Sequence, residues 1–405
     1  MRRLHVLWIG TKPPLPPRDG GRLLTWATLQ GLAALGHRIT FVAPRLDLGG
    51  DAAERLRAVV TPHLVDVSPP STPRAALRSV LGRRPLSIAR HSLPAMADAV
   101  EGLVRARAGA SSAIGGFDLV HVEQLQAAAA ARPARRRGLP IVLRAQNVES
   151  DLWRGVAGST RPPLRWALGA EATRLRRAEA RIVAAADAVA ALTRADADRL
   201  ETLSGRAVTV VPAASPLSYP AGDRPLPGDP PVVVFGSAGW RPNRDGAEWF
   251  LRAIWPTIRE RVPTARLHLF GEVGSIGGRD EEHGVDRRPT PTSSSEALPP
   301  GAVLAVPLHV ASGVRMKILE AWARGIPVIA TPRAAAGLAC LDEAGGLPPA
   351  LDLAETATAF ADAVMRLRDP EIRDRRVSAG RACLERFHAP DAVARRLVAL
   401  YASVV

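Results

Sequence analysis

Short apolar segments of strand length alternate with helix-like segments along most of this chain. Residues 4–9 form the first apolar segment, a Pro-rich and Gly-rich loop follows, and residues 22–36 have helical spacing that Gly36 ends. A second strand-like segment covers residues 38–44. This order predicts a parallel strand pair with a right-handed crossover, and therefore an α/β fold. Further strands are predicted over residues 117–123, 140–147, 187–193 and 207–212.

The alternation is interrupted once, at residues 213–231, where Pro and Gly are frequent and hydrophobic periodicity is lost. At 405 residues the chain is too long for one ordinary core. We predict two Rossmann-like domains that face each other across a cleft, over residues 1–212 and 232–385, with 213–231 as a linker. Residues 386–405 are predicted to form a C-terminal helix that could pack back on the N-terminal domain, and residues 272–300 to be irregular.

The formal net charge of +15 comes almost entirely from arginine. Aromatic residues make up only 4% of the chain, and the basic clusters are not interleaved with them as they are on nucleic-acid-binding faces. We therefore expect no nucleic-acid partner. Two interpretations stay open for basic helix-like segments such as residues 165–182, namely a solvated face or contact with an anionic membrane surface.

Cysteine spacing and hydropathy bear on the location of the protein. Cys340 and Cys383 are far apart and lack metal-ligand spacing, so we expect reduced thiols in a cytoplasmic protein. No segment approaches the roughly 20 uninterrupted apolar residues of a membrane span. A cytoplasmic location is predicted, and peripheral attachment to the inner face of the membrane stays open.

Only two of the 54 Lys and Arg residues are lysines, Lys12 and Lys317. Lys317 follows a predicted buried strand and a turn at Ser312 and Gly313, near the start of a helix predicted over residues 314–324. A helix that begins at the carboxyl edge of a parallel sheet presents N–H groups to an anion. Cations in its first turn oppose the helix dipole unless a phosphate binds there. Arg315 and Lys317 in this turn therefore indicate a phosphate site.

Glu320 is predicted to lie about one helical turn beyond these cations. Its carboxylate could accept hydrogen bonds from both hydroxyls of a vicinal diol such as ribose. The alternative is an ordinary surface helix with an i, i+3 pair between Lys317 and Glu320. A lysine kept against the strong bias of this chain to arginine favours the phosphate site.

Several longer motifs occur in a characteristic order. They are PPLPPRDGGRLL at 13–24, AQNVESDLW at 145–153, FGSAGWRPNRDGAEWFLRAIWP at 235–256 and PLHVASGVRMKILEAWARGIPVIAT at 307–331. In this order and spacing the chain resembles the retaining family 4 glycosyltransferases with the GT-B fold, most closely the branch that assembles bacterial polysaccharides and cell-surface sugars. The resemblance extends over nearly the whole chain.

The resemblance implies a hexosyltransferase-like enzyme that moves a sugar from a nucleoside-diphosphate donor to a glycan, a lipid-linked glycan or a small molecule, with retention and without metal or cofactor. The N-terminal domain would take the acceptor and the C-terminal domain the donor. Carried over by position, the implied catalytic residues are Arg315, Lys317 and Ser312. The implied donor-binding residues are Glu320, Gly313, Val314, Met316, Gly20, Gly21 and Arg241. The implied acceptor-side residues are Lys12, His121, Gln146 and Asn147.

The chain also departs from the family pattern. Ser312 stands where many members have a glutamate, Gln146 stands where this branch has a histidine, and Trp240 and Asp245 stand near the positions of an Arg and a Lys. These changes leave two alternatives open. One is a catalytically degraded relative that binds a nucleotide or glycan as a partner subunit, and the other is an epimerase with the GT-B fold.

Asp196 and Asp198 match the Asp-x-Asp metal motif of the other major glycosyltransferase fold. Here they follow Thr-Arg at a predicted helix start, where the dipole favours acids, so we expect no metal site. The histidines show no ligand spacing. Among them only His121 and His309 are predicted to end strands at the cleft.

Overall fold

In the computed structural model the chain folds into two compact units. The structure describes residues 2–17, 19–46, 48–108, 116–158, 160–219, 224–236, 241–272, 283–291, 294–310, 313–342 and 349–405. The first unit comprises Met1–Ala214 together with Pro390–Val405, and the second comprises Ser215–Ala389. Each unit is built on a parallel β-sheet with helices.

The sheet of the first unit has seven strands in the order β3-β2-β1-β4-β5-β6-β7, and each neighbouring pair is parallel. The strands are β1 His5–Ile9, β2 Arg38–Pro44, β3 Thr61–Val65, β4 Leu119–Glu123, β5 Ile141–Ala145, β6 Ala188–Ala191 and β7 Thr209–Val210. The helices between them are α1 Gly20–Ala34, α2 Gly50–Val59, α3 Thr72–Leu81, α4 Leu86–His91, α5 Pro94–Ala108, α6 Arg132–Arg136, α7 Glu149–Gly158, α8 Leu164–Ala185 and α9 Arg194–Ser204, with a 3₁₀ segment at Leu125–Ala131.

The sheet of the second unit has six parallel strands in the order β10-β9-β8-β11-β12-β13. The strands are β8 Pro231–Phe235, β9 Arg266–Phe270, β10 Val285–Arg288, β11 Val303–Val306, β12 Val328–Ala330 and β13 Asp352–Leu353. The helices are α10 Arg241–Trp249, α11 Trp255–Arg261, α12 Ser294–Ala297, α13 Met316–Ala323, α14 Pro332–Ala335, α15 Ala339–Asp342, α16 Ala357–Arg366 and α17 Pro370–Cys383. Two π-helical segments, Phe250–Ile254 and Leu384–His388, interrupt the helical regions, and α18 Pro390–Ala402 returns to the first unit.

Apolar side chains cover both faces of the first sheet. Leu7 and Ile9 of β1 belong to one buried cluster, whereas Val6 and Trp8 belong to another. This division follows from the alternation of side chains along a strand. Burial on both sides explains why the strands read as nearly continuous apolar segments.

Helix α18 completes one of these two clusters. Val393 and Leu397 are fully buried there, and α18 packs along α1. Gly31 of α1 lies so close to the start of α18 that a Cβ atom at this position would overlap the carbonyl oxygen of Pro390. The Tyr401 hydroxyl lies 2.8 Å from His121 Nδ1 in the interior. The C-terminal helix is therefore an integral part of the first unit.

The structure differs from the predicted elements in several places. The stretch 272–300 was predicted to be irregular, yet it contains β10 and α12. The chain also forms two further edge strands, β3 and β13, that were not predicted. Gly20 and Gly21 are not in the loop but are the first two residues of α1. Asp19 caps this helix by accepting a hydrogen bond from the Arg22 amide at 3.0 Å, so the helix begins earlier than its apolar spacing indicates.

The prediction of two free thiols is wrong. Cys340 of α15 and Cys383 of α17 form a disulfide, and their Cα atoms are 5.7 Å apart. The 43-residue separation gives no sign of this proximity, which the packing of the second unit creates. Within the described ranges, no helix has the length and hydropathy needed to cross a bilayer.

We predict that Gly31→Ala destabilises the first unit by about 1 to 3 kcal/mol, because the added methyl group forces α1 and α18 apart. Gly102→Ala in α5 is the matched control, since a Cβ there meets nothing within 4 Å. An exposed helical glycine replaced by alanine should leave stability unchanged or raise it by about 0.5 to 1 kcal/mol. Urea unfolding followed by circular dichroism measures both variants, and equal midpoints would contradict the prediction.

Candidate functional site

The sheet of the second unit has one point at which its strand order reverses, between β8 and β11. In open parallel sheets, ligands bind in the crevice outside the carboxyl ends of the strands at such a switch point. Strand β8 ends there at Phe235 and β11 ends at Val306. The chain that leaves β11 leads through Gly313 into α13, so α13 begins beside this crevice.

Helix α13 begins two residues later than predicted. Gly313 has a positive φ of 67°, which reverses the chain before the helix. Arg315 is the N-cap residue and Met316 the first helical residue. Val314 and Arg315 therefore precede the helix, and Lys317 rather than Arg315 lies in its first turn. Ser312 lies outside the described residues.

Lys317 connects the start of α13 to the end of β8 at the switch point. Its Nζ donates a hydrogen bond to the Phe235 carbonyl at 2.5 Å, lies 3.5 Å from Asn243 Oδ1, and lies 4.9 Å from the centroid of the Phe235 ring. Burial of the ammonium, followed by the charge of Arg315, lowers the pKa of Lys317 to about 7, although Glu320 acts in the opposite direction. Lys317 can therefore change its charge near neutral pH.

Glu320 is partly buried one turn further along α13. Its Oε1 accepts a hydrogen bond from Ser294 Oγ at 2.8 Å, and Arg324 Nη2 donates to the same hydroxyl at 3.1 Å. Burial raises the pKa of Glu320, although Ser294, Arg324 and Lys317 offset part of this effect. The Arg324 guanidinium lies over the ring of Tyr219, 4.6 Å from its centroid. These contacts hold the Glu320 carboxylate in place beside the switch point.

The first unit has its own switch point, between β1 and β4. A chain of polar side chains crosses it: Thr11 Oγ1 donates to Gln124 Oε1, and Gln124 Nε2 donates to Gln146 Oε1, both at 2.7 Å. Gln124 has a positive φ of 73°, an uncommon conformation for a residue other than glycine. Gly21 is packed against this chain, since a Cβ there would lie 3.0 Å from Gln146 Oε1.

Lys12 lies at the rim of the same switch point. Its Nζ pairs with Asp19 Oδ2 at 2.8 Å, and its side chain is 34% exposed. A cavity of about 10 Å³ lies between the loop that carries Lys12, the start of α1 and the end of β4. This volume suits about one water molecule. The switch point of the first unit is therefore narrow and polar.

A buried ion pair between Arg144 and Glu123 contacts the polar side chains of this switch point through Gln146. Arg144 is fully buried in β5, and its Nε donates to both carboxylate oxygens of Glu123 at 3.1 Å. Arg144 Nη1 also donates to Thr28 Oγ1 at 3.0 Å, and Gln146 Nε2 donates to Glu123 Oε1 at 2.7 Å. Burial alone would raise the pKa of Glu123, but Arg144, His121 and Gln146 outweigh it, so this pKa lies below its usual value.

The prediction that His121 faces the cleft is wrong. His121 is fully buried, stacks on Trp8 with ring centroids 3.6 Å apart, and lies 3.0 Å from Glu123 Oε2. Burial lowers the pKa of His121 to about 4, so the ring is neutral at pH 7. Val120 and Val122, on either side of His121 in β4, belong to the buried cluster on the opposite face of the sheet from Trp8. Because side chains alternate along a strand, His121 points into the core on the same face as Trp8. Its ring therefore has no access to solvent.

The other predicted residues have the following places. Arg241 is exposed at the start of α10 and pairs with Asp245 at 3.4 Å. Gln146 is buried, and Asn147 next to it is partly buried. The ring of His309 packs against Trp249 at 4.3 Å. Trp240 lies outside the described residues.

The Asp-x-Asp pair has a structural role. Thr193 caps α9 by accepting from the Asp196 amide, and Asp196 Oδ2 accepts from the Thr193 hydroxyl at 2.8 Å. Asp198 forms only a loose pair with Arg194, at 3.8 Å. Within the described part of the chain, no group of three or more His, Cys, Asp or Glu side chains is placed to hold a metal ion.

Sequence reasoning missed a second set of residues at these sites. Charged residues inside otherwise apolar strands would have been the signal for Glu123 and Arg144, since such residues are buried only with a partner. The remaining missed residues make their contacts between segments that are distant in sequence, so no local sequence pattern predicts them. The missed residues are Thr11, Glu123, Gln124 and Arg144 in the first unit, and Tyr219, Asn243, Ser294 and Arg324 in the second.

We predict that Lys317 makes folding stability depend on pH. Its pKa of about 7 in the folded protein lies below its ordinary value of 10.5, so the unfolded chain binds more protons between these values. The contribution of Lys317 to stability should therefore rise with pH across this window. Urea unfolding of wild type and Lys317→Met, repeated across the window, should show a difference that grows in favour of wild type. A constant difference would contradict the prediction.

Comparison with protein families identifies both units. Residues 19–214 match the model described as glycosyl transferase 4-like domain, and residues 229–369 match glycosyl transferases group 1. Together these matches cover more than four fifths of the chain. No curated protein matches the chain significantly.

Solved structures share the fold at low sequence identity. A glycosyltransferase from Rickettsia africae aligns with a TM-score of 0.64 and 11% identity, covering 100% of this chain and 99% of its own. HepE of Anabaena, solved in complex with UDP-glucose, aligns with a TM-score of 0.61 and 13% identity, and the alignment covers 99% of this chain and 100% of HepE. A UDP-forming α,α-trehalose-phosphate synthase from Burkholderia xenovorans aligns with a TM-score of 0.60 and 13% identity, and the alignment covers 100% of this chain and 99% of the synthase. From these matches and its two parallel α/β units, we conclude that the chain belongs to the GT4-like glycosyltransferases and has the GT-B fold.

Proposed function

We propose that the protein transfers a sugar from a nucleoside-diphosphate donor to an acceptor, with retention at the anomeric carbon and without a metal ion. The observation that carries this proposal is the arrangement of Lys317 and Glu320 along α13 beside the switch point of the second sheet. One is a compact cation at a helix start, and the other is a carboxylate one turn further on. A diphosphate and a ribose are joined in the same order in a nucleotide sugar.

Glu320 would bind the ribose. Its Oε1 accepts one hydrogen bond, from Ser294, whereas an ionised carboxylate can accept about four. The carboxylate therefore keeps capacity for the two hydroxyls of a vicinal diol. Its bond to Ser294 fixes the carboxylate before the ligand arrives, which lowers the ordering cost of binding.

Lys317 and Arg315 would face the diphosphate. As the bond between the anomeric carbon and the diphosphate oxygen breaks, negative charge grows on the leaving group. A bond to the acceptor oxygen forms on the same face of the sugar, and the acceptor proton passes to a leaving-group oxygen. Cations that pair more strongly with the developing charge than with the intact donor lower the barrier. The amides at the start of α13, around Val314 and Met316, would add to this stabilisation.

The first unit would take the acceptor. Its switch point offers Lys12, Gln146 and Asn147 as polar groups for a hydroxylated molecule. A glycan or a lipid-linked glycan of polysaccharide assembly is the acceptor class that the family resemblance favours. The basic surface of α8, which carries Arg165, Arg176 and Arg177, would suit an acceptor presented at an anionic membrane.

Release of nucleoside diphosphate tests the proposed reaction, with UDP-sugars first because HepE was solved with UDP-glucose. UDP should raise the melting temperature, since a ligand at about 100 times its Kd stabilises the folded state by about 2.7 kcal/mol. UDP release with an acceptor should continue in EDTA. Release abolished by EDTA and restored by Mg²⁺ or Mn²⁺ would contradict metal independence. Binding without release would indicate a nucleotide-binding partner subunit.

We predict that Glu320→Ala weakens UDP binding by about 1.5 to 3 kcal/mol, the usual scale for hydrogen bonds to a charged group. Glu296→Ala is the matched control, because Glu296 is an exposed carboxylate on the neighbouring α12. Isothermal titration calorimetry measures both variants. Equal affinities of the two variants for UDP would remove Glu320 from the donor site.

A further inference from the structure

A cavity of about 570 Å³ lies within the first unit. Val122 of β4 and Leu143 of β5 form its floor, and Ile182 of α8 and Ile88 of α4 line its sides. None of its lining residues belongs to the candidate site described above. Its volume lies in the range of about 300 to 1,000 Å³ that is usual for small-molecule sites.

The walls of this cavity are almost entirely aliphatic. Its lining includes no aromatic side chain, so it offers no surface on which a nucleobase could stack. The polar side chains of its lining are Ser92 and the arginines described below. A sugar buried among such walls would lose hydrogen bonds to water without replacing them. The walls therefore suit a hydrocarbon chain.

Five exposed arginines surround this aliphatic interior, and the lining contains no acidic residue. Arg135 pairs with Asp187 at 3.2 Å. Within the described ranges no acidic side chain pairs with the other four. The five are Arg83, Arg84, Arg132, Arg135 and Arg181. Such a rim is complementary to an anionic group, and guanidinium groups bind carboxylates and phosphates through paired hydrogen bonds.

Exposed apolar residues lead to this rim. Leu77, Val80 and Leu81 of α3 are 60%, 70% and 76% exposed, and Gly82, Arg83 and Arg84 of the rim follow them directly. Exposed apolar patches on soluble folds often mark interaction sites. Here the patch would shield a hydrocarbon chain from water as it enters the cavity.

We propose that this cavity binds the hydrocarbon chain of an anionic amphiphile, a lipid phosphate or carboxylate whose head group pairs with the arginine rim. The aliphatic walls account for the chain, and the four guanidinium groups without an acidic partner among the described residues account for the charge. This site is distinct from the proposed transferase site, because none of its lining residues is among those that form either switch-point site. It would give the first unit a lipid-binding activity of its own.

Ligand chemistry gives the first test. Isothermal titration calorimetry with dodecyl phosphate below its micelle concentration should show one saturable site. Decyl phosphate should bind roughly fifteenfold more weakly, because it lacks two CH₂ groups and each buried CH₂ contributes about 0.8 kcal/mol, or about fourfold in affinity. Inorganic phosphate and dodecyl maltoside, which supply only the charge or only the chain, should bind at least tenfold more weakly. Equal binding of dodecyl maltoside or of inorganic phosphate would overturn the proposal.

Paired variants on α8 give the second test. Arg181 lines the cavity, whereas Arg176 is exposed on the same helix outside it. Arg181→Glu should weaken dodecyl phosphate binding at least tenfold, and Arg176→Glu should change it less than twofold. Ala129→Trp, which places a large ring at the lining, should abolish binding while UDP binding is retained. Equal losses in the two glutamate variants would indicate diffuse surface charge and overturn the proposal.

Vesicles separate a single bound chain from adsorption to a membrane. Co-sedimentation with vesicles that contain phosphatidylglycerol reports attraction to an anionic surface, which about 0.15 M salt screens beyond about 8 Å. If the cavity holds the chain, Ala129→Trp loses dodecyl phosphate binding whatever its vesicle binding. If binding to dodecyl phosphate and to vesicles always changes together across the variants, a membrane surface is the partner and the cavity is not the site.

Discussion

The reversal of strand order in each parallel sheet determines where chemistry can occur in this protein. All strands of a sheet present their carboxyl ends at one edge, and the loops that leave two neighbouring strands turn to opposite faces only where the order reverses. The first sheet reverses between β1 and β4, and the second reverses between β8 and β11. The diverging loops leave an opening beyond the strand ends at these two points. The polar side chains that the structure gathers there follow from that opening.

Lys317 shows how packing and function share one residue. Its ammonium donates to the carbonyl of Phe235 at the end of β8, so it joins the start of α13 to one of the strands that flank the switch point. A compact ammonium on a flexible chain fits this contact, whereas a planar guanidinium would need a wider space. This structural contact alone explains why a chain so rich in arginine has a lysine here. It also places the ammonium beside the helix start, so this structural contact is compatible with the proposed contact to a diphosphate.

The sequence was informative where a physical pattern is local. Local residue patterns predicted the apolar strands, the interrupting segment near residue 213 and the helix before Gly325. Burial and backbone conformation restrict the residue type at each of these positions. Contacts between segments that are distant in sequence produce no such local pattern. The Cys340–Cys383 disulfide and the bond between Glu320 and Ser294 could not be predicted for this reason. His121 was misplaced because a strand of alternating side chains turns one polar residue inward, and its partner Tyr401 is 280 residues away.

The return of α18 to the first unit has a consequence for the order of events on the ribosome. Residues 390–405 are synthesised after the whole second unit, yet they fill the apolar surface around Trp26 and Leu29 in the first. The second unit has all of its own strands earlier and can fold while the first still lacks a part of its core. Until α18 leaves the exit tunnel, α1 presents an uncovered apolar face. The nascent chain therefore passes through a stage in which apolar side chains of α1 are exposed to water, and the packing of α18 ends that stage.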